Sequence, residues 1–163
     1  MEERGLHVDH STIQRWVFNY SPQLEQAFRK RKKPVSKSWR LDETYIKVKG
    51  QWKYLYRAVD KQGLTIDFML SAKRDTKAAK KFFKKAIKSN GTPATVNIDK
   101  SGANNAGIKA YNRDFLYKVK IRQSKYLNNI VESDHRKIKT ITNPMKGFQS
   151  FKTARIVLWL TTV

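Results

Sequence analysis

Beyond residue 38 the apolar positions recur first every second residue and later every third or fourth. "WRLDETYIKVKG" alternates from Leu41 to Val48, "QWKYLYRAVD" follows a tight Lys49–Gly50 turn, and "LTIDFMLSA" follows Gly63. Period-two patterning broken by short glycine turns predicts three strands in an antiparallel meander. The period then lengthens. In "DTKAAKKFFKKAIKSNG" the residues Ala78, Ala79, Phe82, Phe83, Ala86 and Ile87 form one apolar stripe with lysines opposite, a helix that Asn90–Gly91 stops. "ATVNID" is a short apolar strand ending at Asp99, and a helix leading into it implies parallel pairing. A weaker helix covers about 103–113, "LYKVKI" is a fifth strand, and a last helix runs from Tyr126 to about Ile141. The order β-β-β-α-β-α-β-α predicts an α/β fold on a mixed five-stranded sheet. The chain closes in "ARIVLWLTTV", an apolar run without polar closure.

Ahead of the meander, "MEERGLHVDHSTIQRWVFNYSP" reads as the end of one helix, a turn at Gly5 and a second helix. Ser11 followed by Gln14 matches a capping box, so the second helix is expected to start near Ser11, and Pro22 marks its expected end. Ile13, Trp16, Val17 and Tyr20 fall on one face. Helix, glycine turn, helix is the layout of a helix-turn-helix, whose second helix would offer Thr12, Gln14 and Arg15 to a DNA groove. A plain helical hairpin has the same pattern. The domain plan is therefore 1–28 as a partial helix-turn-helix, 29–38 ("RKRKKPVSKS" within it) as a basic linker that Pro34 keeps from being helical, and 39–163 as the main domain.

Charge changes the picture. The chain has 163 residues with 35 Lys and Arg against 13 Asp and Glu, a net charge of +22. Such an excess repels itself in a compact state and points to a polyanion partner; the basic residues are spread through the chain, so nucleic acid leads. A membrane is the weaker partner, since no stretch reaches the roughly 18 apolar residues that span a bilayer. The start "MEERGLHVDH" is polar, unlike a signal peptide. Zero cysteines exclude disulfides and thiolate zinc sites and fit a reducing cytoplasm.

With acids so few, each can be weighed. Asp42 lies mid-strand among apolar and aromatic neighbours, where a carboxylate costs stability unless something pairs with it. Glu43 follows, but successive strand side chains point to opposite faces, so only one of the two serves a given site. Asp99 ends an apolar strand, and the carboxyl ends of parallel strands are where open α/β sheets bind ligands. Glu132, His135, Arg136 and Lys139 share one side of the last helix at i, i+3, i+4 and i+7. If the first and fourth strands are neighbours, Asp42 and Asp99 converge and the last helix can lay Glu132 over them. Three carboxylates at one point make a hard-oxygen site for Mg²⁺, and two such ions can activate a water or 3′-hydroxyl and stabilise a leaving oxygen. The bland alternative makes Asp42 a strand-edge acid, Asp99 a turn former and Glu132 a salt-bridge partner of Arg136. Asp60, Asp67, Asp75, Asp114 and Asp134 read as strand-end, cap or surface acids, and His7, His10 and His135 as packing, phosphate-contacting or solvated histidines.

The stretches "HSTIQRWV", "WRLDETYIKVKGQWKYLYRAVD", "DFMLSAKRDTKAAKKFFKKA", "VNIDKS" and "KYLNNIVESDHRKIK" resemble the DDE transposases of bacterial insertion sequences, most closely the insertion-sequence-six family. The resemblance implies an RNase H-like catalytic domain preceded by a helix-turn-helix. It implies that Asp42, Asp99 and Glu132 are the catalytic, metal-binding triad, with 32 residues between the last two, and that Lys139 is the basic residue contacting the transposon end. The implied chemistry uses two Mg²⁺ ions, for which Mn²⁺ may substitute: water opens a strand at the terminal inverted repeat, and the freed 3′-hydroxyl attacks target DNA. It also implies a homo-oligomer on paired DNA ends in the bacterial cytoplasm, associated with the nucleoid. Family sequences extend further on both sides, so the resemblance implies a shortened copy. Two other readings stay open: a catalytically inactive DNA-binding remnant of a transposase, and a stand-alone RNase H-like nuclease, which would have no need of "HSTIQRWV".

Overall fold

A computed structural model describes residue 5 and residues 8–100, 102–116, 118–124 and 126–160, without the side chains of Arg29 and Leu160. The elements are α1 (His10–Arg31), β1 (Ser38–Val48), β2 (Gln51–Asp60), β3 (Thr65–Ser71), α2 (Thr76–Asn90), β4 (Thr95–Ile98), α3 (Gly102–Phe115), β5 (Lys120–Gln123), α4 (Asn129–Thr142) and α5 (Phe151–Leu160). A 3-10 turn, Tyr126–Asn128, leads into α4. The five strands form one sheet in the order β3-β2-β1-β4-β5. β1, β2 and β3 pair antiparallel, while β1 with β4 and β4 with β5 pair parallel, the mixed sheet expected. The hairpin between β1 and β2 turns on Lys49 and Gly50 at φ 50° and 73°, left-handed values whose twist suits a two-residue hairpin.

Strand alternation divides the core into two layers. Trp39 and Leu41 of β1 face one side, where they pack with Phe82 and Phe83 of α2 and Ile108 and Tyr111 of α3. Ile46 and Val48 face the other, with Ile138 of α4 and Ala154 and Leu158 of α5. Asp75 caps α2 by accepting from the Ala78 N–H at 2.8 Å, and Gly91 ends that helix at φ 77°. The closing apolar run is thereby accounted for through Trp159. It is the inner face of α5, steered there by Phe148, which bridges to Val48 and exchanges backbone hydrogen bonds with Lys47 and Lys49. Residues 161–163 lie outside the described residues. Among the described residues, no helix is long and apolar enough to cross a membrane.

The amino-terminal expectation needs three corrections. The N-cap of α1 is Asp9 rather than Ser11: the Asp9 carbonyl accepts from Thr12 and Ile13, and the Ser11 hydroxyl donates to the Asp9 carboxylate. Pro22 does not end the helix, which runs on to Arg31. An interior proline forfeits one backbone hydrogen bond, at a cost of about 3 kcal/mol. Here α5 holds α1 on both sides of it, through Lys152 over the Phe18 ring and the edge-to-face pair of Phe28 and Trp159. Residues 29–31 are consequently helical, and the extended connection begins at Lys32. Gly5 sits at φ 65°, as a turn requires, but the first helix of the expected helix-turn-helix, with His7, lies outside the described residues.

Candidate active site

The pleat of β1 sends its two adjacent acids to opposite layers. Glu43 points to the α2–α3 side, where Arg74 Nε and Asn104 Nδ2 both donate to it. Burial pushes the Glu43 carboxyl above the usual range, and the Arg74 charge and Asn104 bond only partly oppose that. Asp42 points to the α4 side, where His135 Nε2 stands 3.4 Å from its Oδ2. The cross-strand partner of Asp42 is Arg57 on β2, which lies on the same face.

Asp99 follows the last paired residue of β4. Leu41 of β1 is level with Ile98 of β4, so Asp42 and Asp99 occupy the next positions along two parallel neighbours. Asp99 is half-buried just past the end of β4. Its charge is felt by Arg74, whose pKa burial alone would lower but which its pairing with Glu43 raises, with Asp99 adding to the pull.

α4 crosses this face from β4 towards β2. At its start, Asn97 Nδ2 of β4 donates to Asn128 Oδ1 and to the Ser124 carbonyl, and Arg40 Nε of β1 donates to the Leu127 carbonyl at 3.1 Å. Further on, His135 meets Asp42 and Asp134 accepts from Arg57 of β2. Asn128, Glu132 and His135 fall at i, i+4 and i+7, so Glu132 lies between the contact over Asn97 and the contact over Asp42. It is half-buried and makes no ion pair with Arg136 or any other described residue. Among the described residues, no three His, Asp or Glu side chains stand close enough as they are to hold a metal ion together.

The expected common face of Glu132, His135, Arg136 and Lys139 is therefore split. His135 is buried at 5% exposure, while Arg136 and Lys139 are exposed on the outer side. A solvated His135 is corrected by that burial: the residue packs inward because Val131, His135, Ile138 and Thr142 form the sheet-facing stripe of α4. Asp134 is likewise no surface acid but the partner of buried Arg57. Asp60, Asp75 and Asp114 take the strand-end, cap and surface places expected, whereas Asp67 is buried with Lys85. On α1, Gln14 and Arg15 are exposed and Thr12 is half-buried, its hydroxyl accepting from Arg15 Nη2 at 3.0 Å. Sequence reasoning missed Arg57, Arg74 and Asn104. A basic residue level with Asp42 on the next strand was the available signal for Arg57; for Arg74 and Asn104, both in or beside connections, the pattern carried none.

A family model described as a DDE domain matches residues 36–160. The chain is 42% identical over 159 residues to the transposase for insertion sequence-like element IS431mec of Staphylococcus aureus, covering 97% of this chain and 70% of the relative. Two solved structures share the fold. One is the HTLV-2 integrase catalytic core domain in complex with magnesium, with TM-score 0.57, 21% identity, and coverage of 71% of this chain and 74% of that one. The other is the catalytic core domain of BIV integrase, with TM-score 0.58, 17% identity, and coverage of 78% and 82%. The strand order of the mixed sheet and the helix α4 packed across it thus belong to an RNase H-like core. With the domain match and the shared sequence, they place the chain among the DDE transposases of bacterial insertion sequences, polynucleotidyl transferases of the insertion-sequence-six family.

Proposed function

We propose that Asp42, Asp99 and Glu132 are the catalytic carboxylates with which this chain cuts the terminal inverted repeats of its element and joins them to target DNA. The observation that supports the reading is the parallel pairing of β1 with β4, whose last level pair, Leu41 and Ile98, immediately precedes Asp42 and Asp99, with α4 packed over β1 through His135. The donors fit a divalent ion such as Mg²⁺, with Mn²⁺ as a substitute. They are hard oxygens, and among the described residues neither Asp42 nor Glu132 is neutralised by a lysine or arginine, in a chain with 35 of them. Bound there, two such ions would activate the attacking oxygen and stabilise the leaving one.

The remaining chemistry belongs to the side chains. His135 is buried behind Asp42, its Nε2 3.4 Å from that carboxylate. Arg136 and Lys139, exposed on the outer side of the same helix, hold the DNA backbone next to the carboxylates. In the first step a water oxygen bonds to phosphorus at the element end and the 3′-oxygen leaves. In the second the freed 3′-hydroxyl attacks a phosphorus of target DNA and expels a target 3′-oxygen. Thr12, Gln14 and Arg15, at the start of α1, read the repeat. The active form is a homo-oligomer holding two ends, working in the bacterial cytoplasm at the nucleoid.

The test is strand transfer in vitro, with a labelled duplex carrying the element end and a free 3′-hydroxyl, a plasmid target, and Mg²⁺ or Mn²⁺. Wild type is expected to give joined product and Asp99→Asn none. Joining by both would sink the carboxylate assignment. Binding without joining by either would make the chain a DNA-binding relic.

A further inference from the structure

A cavity of about 550 Å³ opens between the end of α1, the start of β3, α4 and α5. Arg57 lies in its lining with 1% of its surface exposed. Its Nε donates to Asp134 and its Nη2 to Thr65 Oγ1 at 3.0 Å, but the buried Nη1 has no hydrogen-bond partner. Burial lowers the guanidinium pKa to about 10, so the group stays charged at neutral pH. Buried N–H groups left without an acceptor are costly, and an anionic oxygen brought to Nη1 would satisfy them. Arg31, Lys33 and Lys137 add three exposed cations to the lining. Its two acids, Asp67 and Asp134, are already engaged by Lys85 and Arg57. One wall is aromatic: the Phe28 and Trp159 rings meet edge to face with centroids 5.8 Å apart.

A cavity of this size suits a small organic ligand better than a bare ion. Cations beside an aromatic wall are the chemistry that holds a phosphate and stacks a base. Position adds a reason. Arg57 is level with Asp42 across the β1–β2 pair and on the same face.

We propose that this cavity takes one unpaired nucleotide of the DNA strand, its phosphate against Arg57 Nη1 and the basic lining, its base against the Phe28–Trp159 wall. The inference rests on the reading of DNA as the substrate. A base stacked in a duplex cannot enter, so the occupant is a nucleotide at a strand end or one turned out of the helix.

Occupancy is read as the part of the tryptophan quenching that Trp159→Phe removes, because Trp16 and Trp52 are exposed. The full chain is titrated with inorganic phosphate, with dAMP, with a blunt duplex and with a duplex bearing one unpaired terminal nucleotide. Quenching by dAMP and by the overhanging duplex is expected, and it should vanish in Trp159→Phe. Lys137→Gln, an exposed change, should weaken dAMP binding roughly two- to fivefold, and Arg57→Lys about tenfold or more through loss of the fork geometry. Phosphate binding as tightly as dAMP would overturn the nucleotide assignment. So would equal binding of both duplexes with Trp159 silent, which leaves the DNA-substrate reading intact. If dAMP quenches but neither duplex binds, the DNA source falls and a free-nucleotide pocket remains.

Discussion

Asp60 shows how much one acid can do in so basic a chain. It is fully buried at the end of β2 and accepts backbone N–H bonds from Ser36 at 3.0 Å, Gln62 at 2.8 Å and Leu64 at 3.0 Å. Burial alone would raise its pKa, but the three N–H donors outweigh it and hold the carboxyl below the usual range. A depressed folded pKa contributes stability that is present above the unfolded value of about 3.9 and is lost as pH falls through the folded value. Asp60→Asn should therefore cost about 1–3 kcal/mol at pH 7, and the gap to wild type should close as pH falls below about 3.9. Urea unfolding at both ends of that range checks it; a gap that persists in acid would mean the charge is not what the N–H groups recognise. The sequence marked Asp60 as a strand-end acid but not its three donors, because these come from the linker and the β2–β3 turn, which carry no periodicity. His135 was misread for the opposite reason. Its helical spacing to Glu132 was visible, but the spacing does not say which side of a basic helix meets the sheet.

At the scale of elements, the clearest signals were those where pattern and turn chemistry agreed. β2 runs from Gln51 to Asp60 and α2 stops at Asn90–Gly91, both as the alternation and the glycine predicted. α1 resisted because its proline is overruled by α5, an element more than a hundred residues later in the chain. α3 was weakly signalled because what binds it to α2 is an absence: Gly107. A Cβ added there would stand 2.7 Å from Ala79 Cβ and 2.9 Å from the Lys80 nitrogen, inside the contact distance that real side chains keep. In a free helix, alanine would be favoured over glycine by about 1 kcal/mol. Here the obstacle is mostly backbone of α2, which cannot swing aside, so overpacking wins. Gly107→Ala is expected to destabilise the domain by about 1–3 kcal/mol in urea or thermal unfolding. A stabilised variant would show that α3 can slide along α2 freely, and that the two helices are not in tight contact.

Across the whole molecule, the net charge of +22 is not spent evenly. On the α2–α3 side several cations are already engaged: Lys80 with Asp114, Arg74 with Glu43, and Lys84 over the Phe115 ring. The other side carries Asp42 and α4, with Arg136 and Lys139 turned outward. On the proposed function, a DNA strand reaches the carboxylates from that side, where each phosphate contact releases counterions. Binding should weaken steeply with salt, and the slope of log K against log salt counts the contacts at about 0.9 per phosphate on duplex DNA. Arg136→Gln and Lys139→Gln should each flatten that slope by about 0.9, the double variant by about twice as much, while Lys109→Gln, exposed on α3 behind the sheet, should leave it unchanged. The comparison uses one duplex and one temperature across a salt series. If Lys109 flattened the slope as much as Lys139 does, the DNA would be wrapping the domain without regard to the carboxylate face, and the placement of the backbone beside α4 would have to be given up.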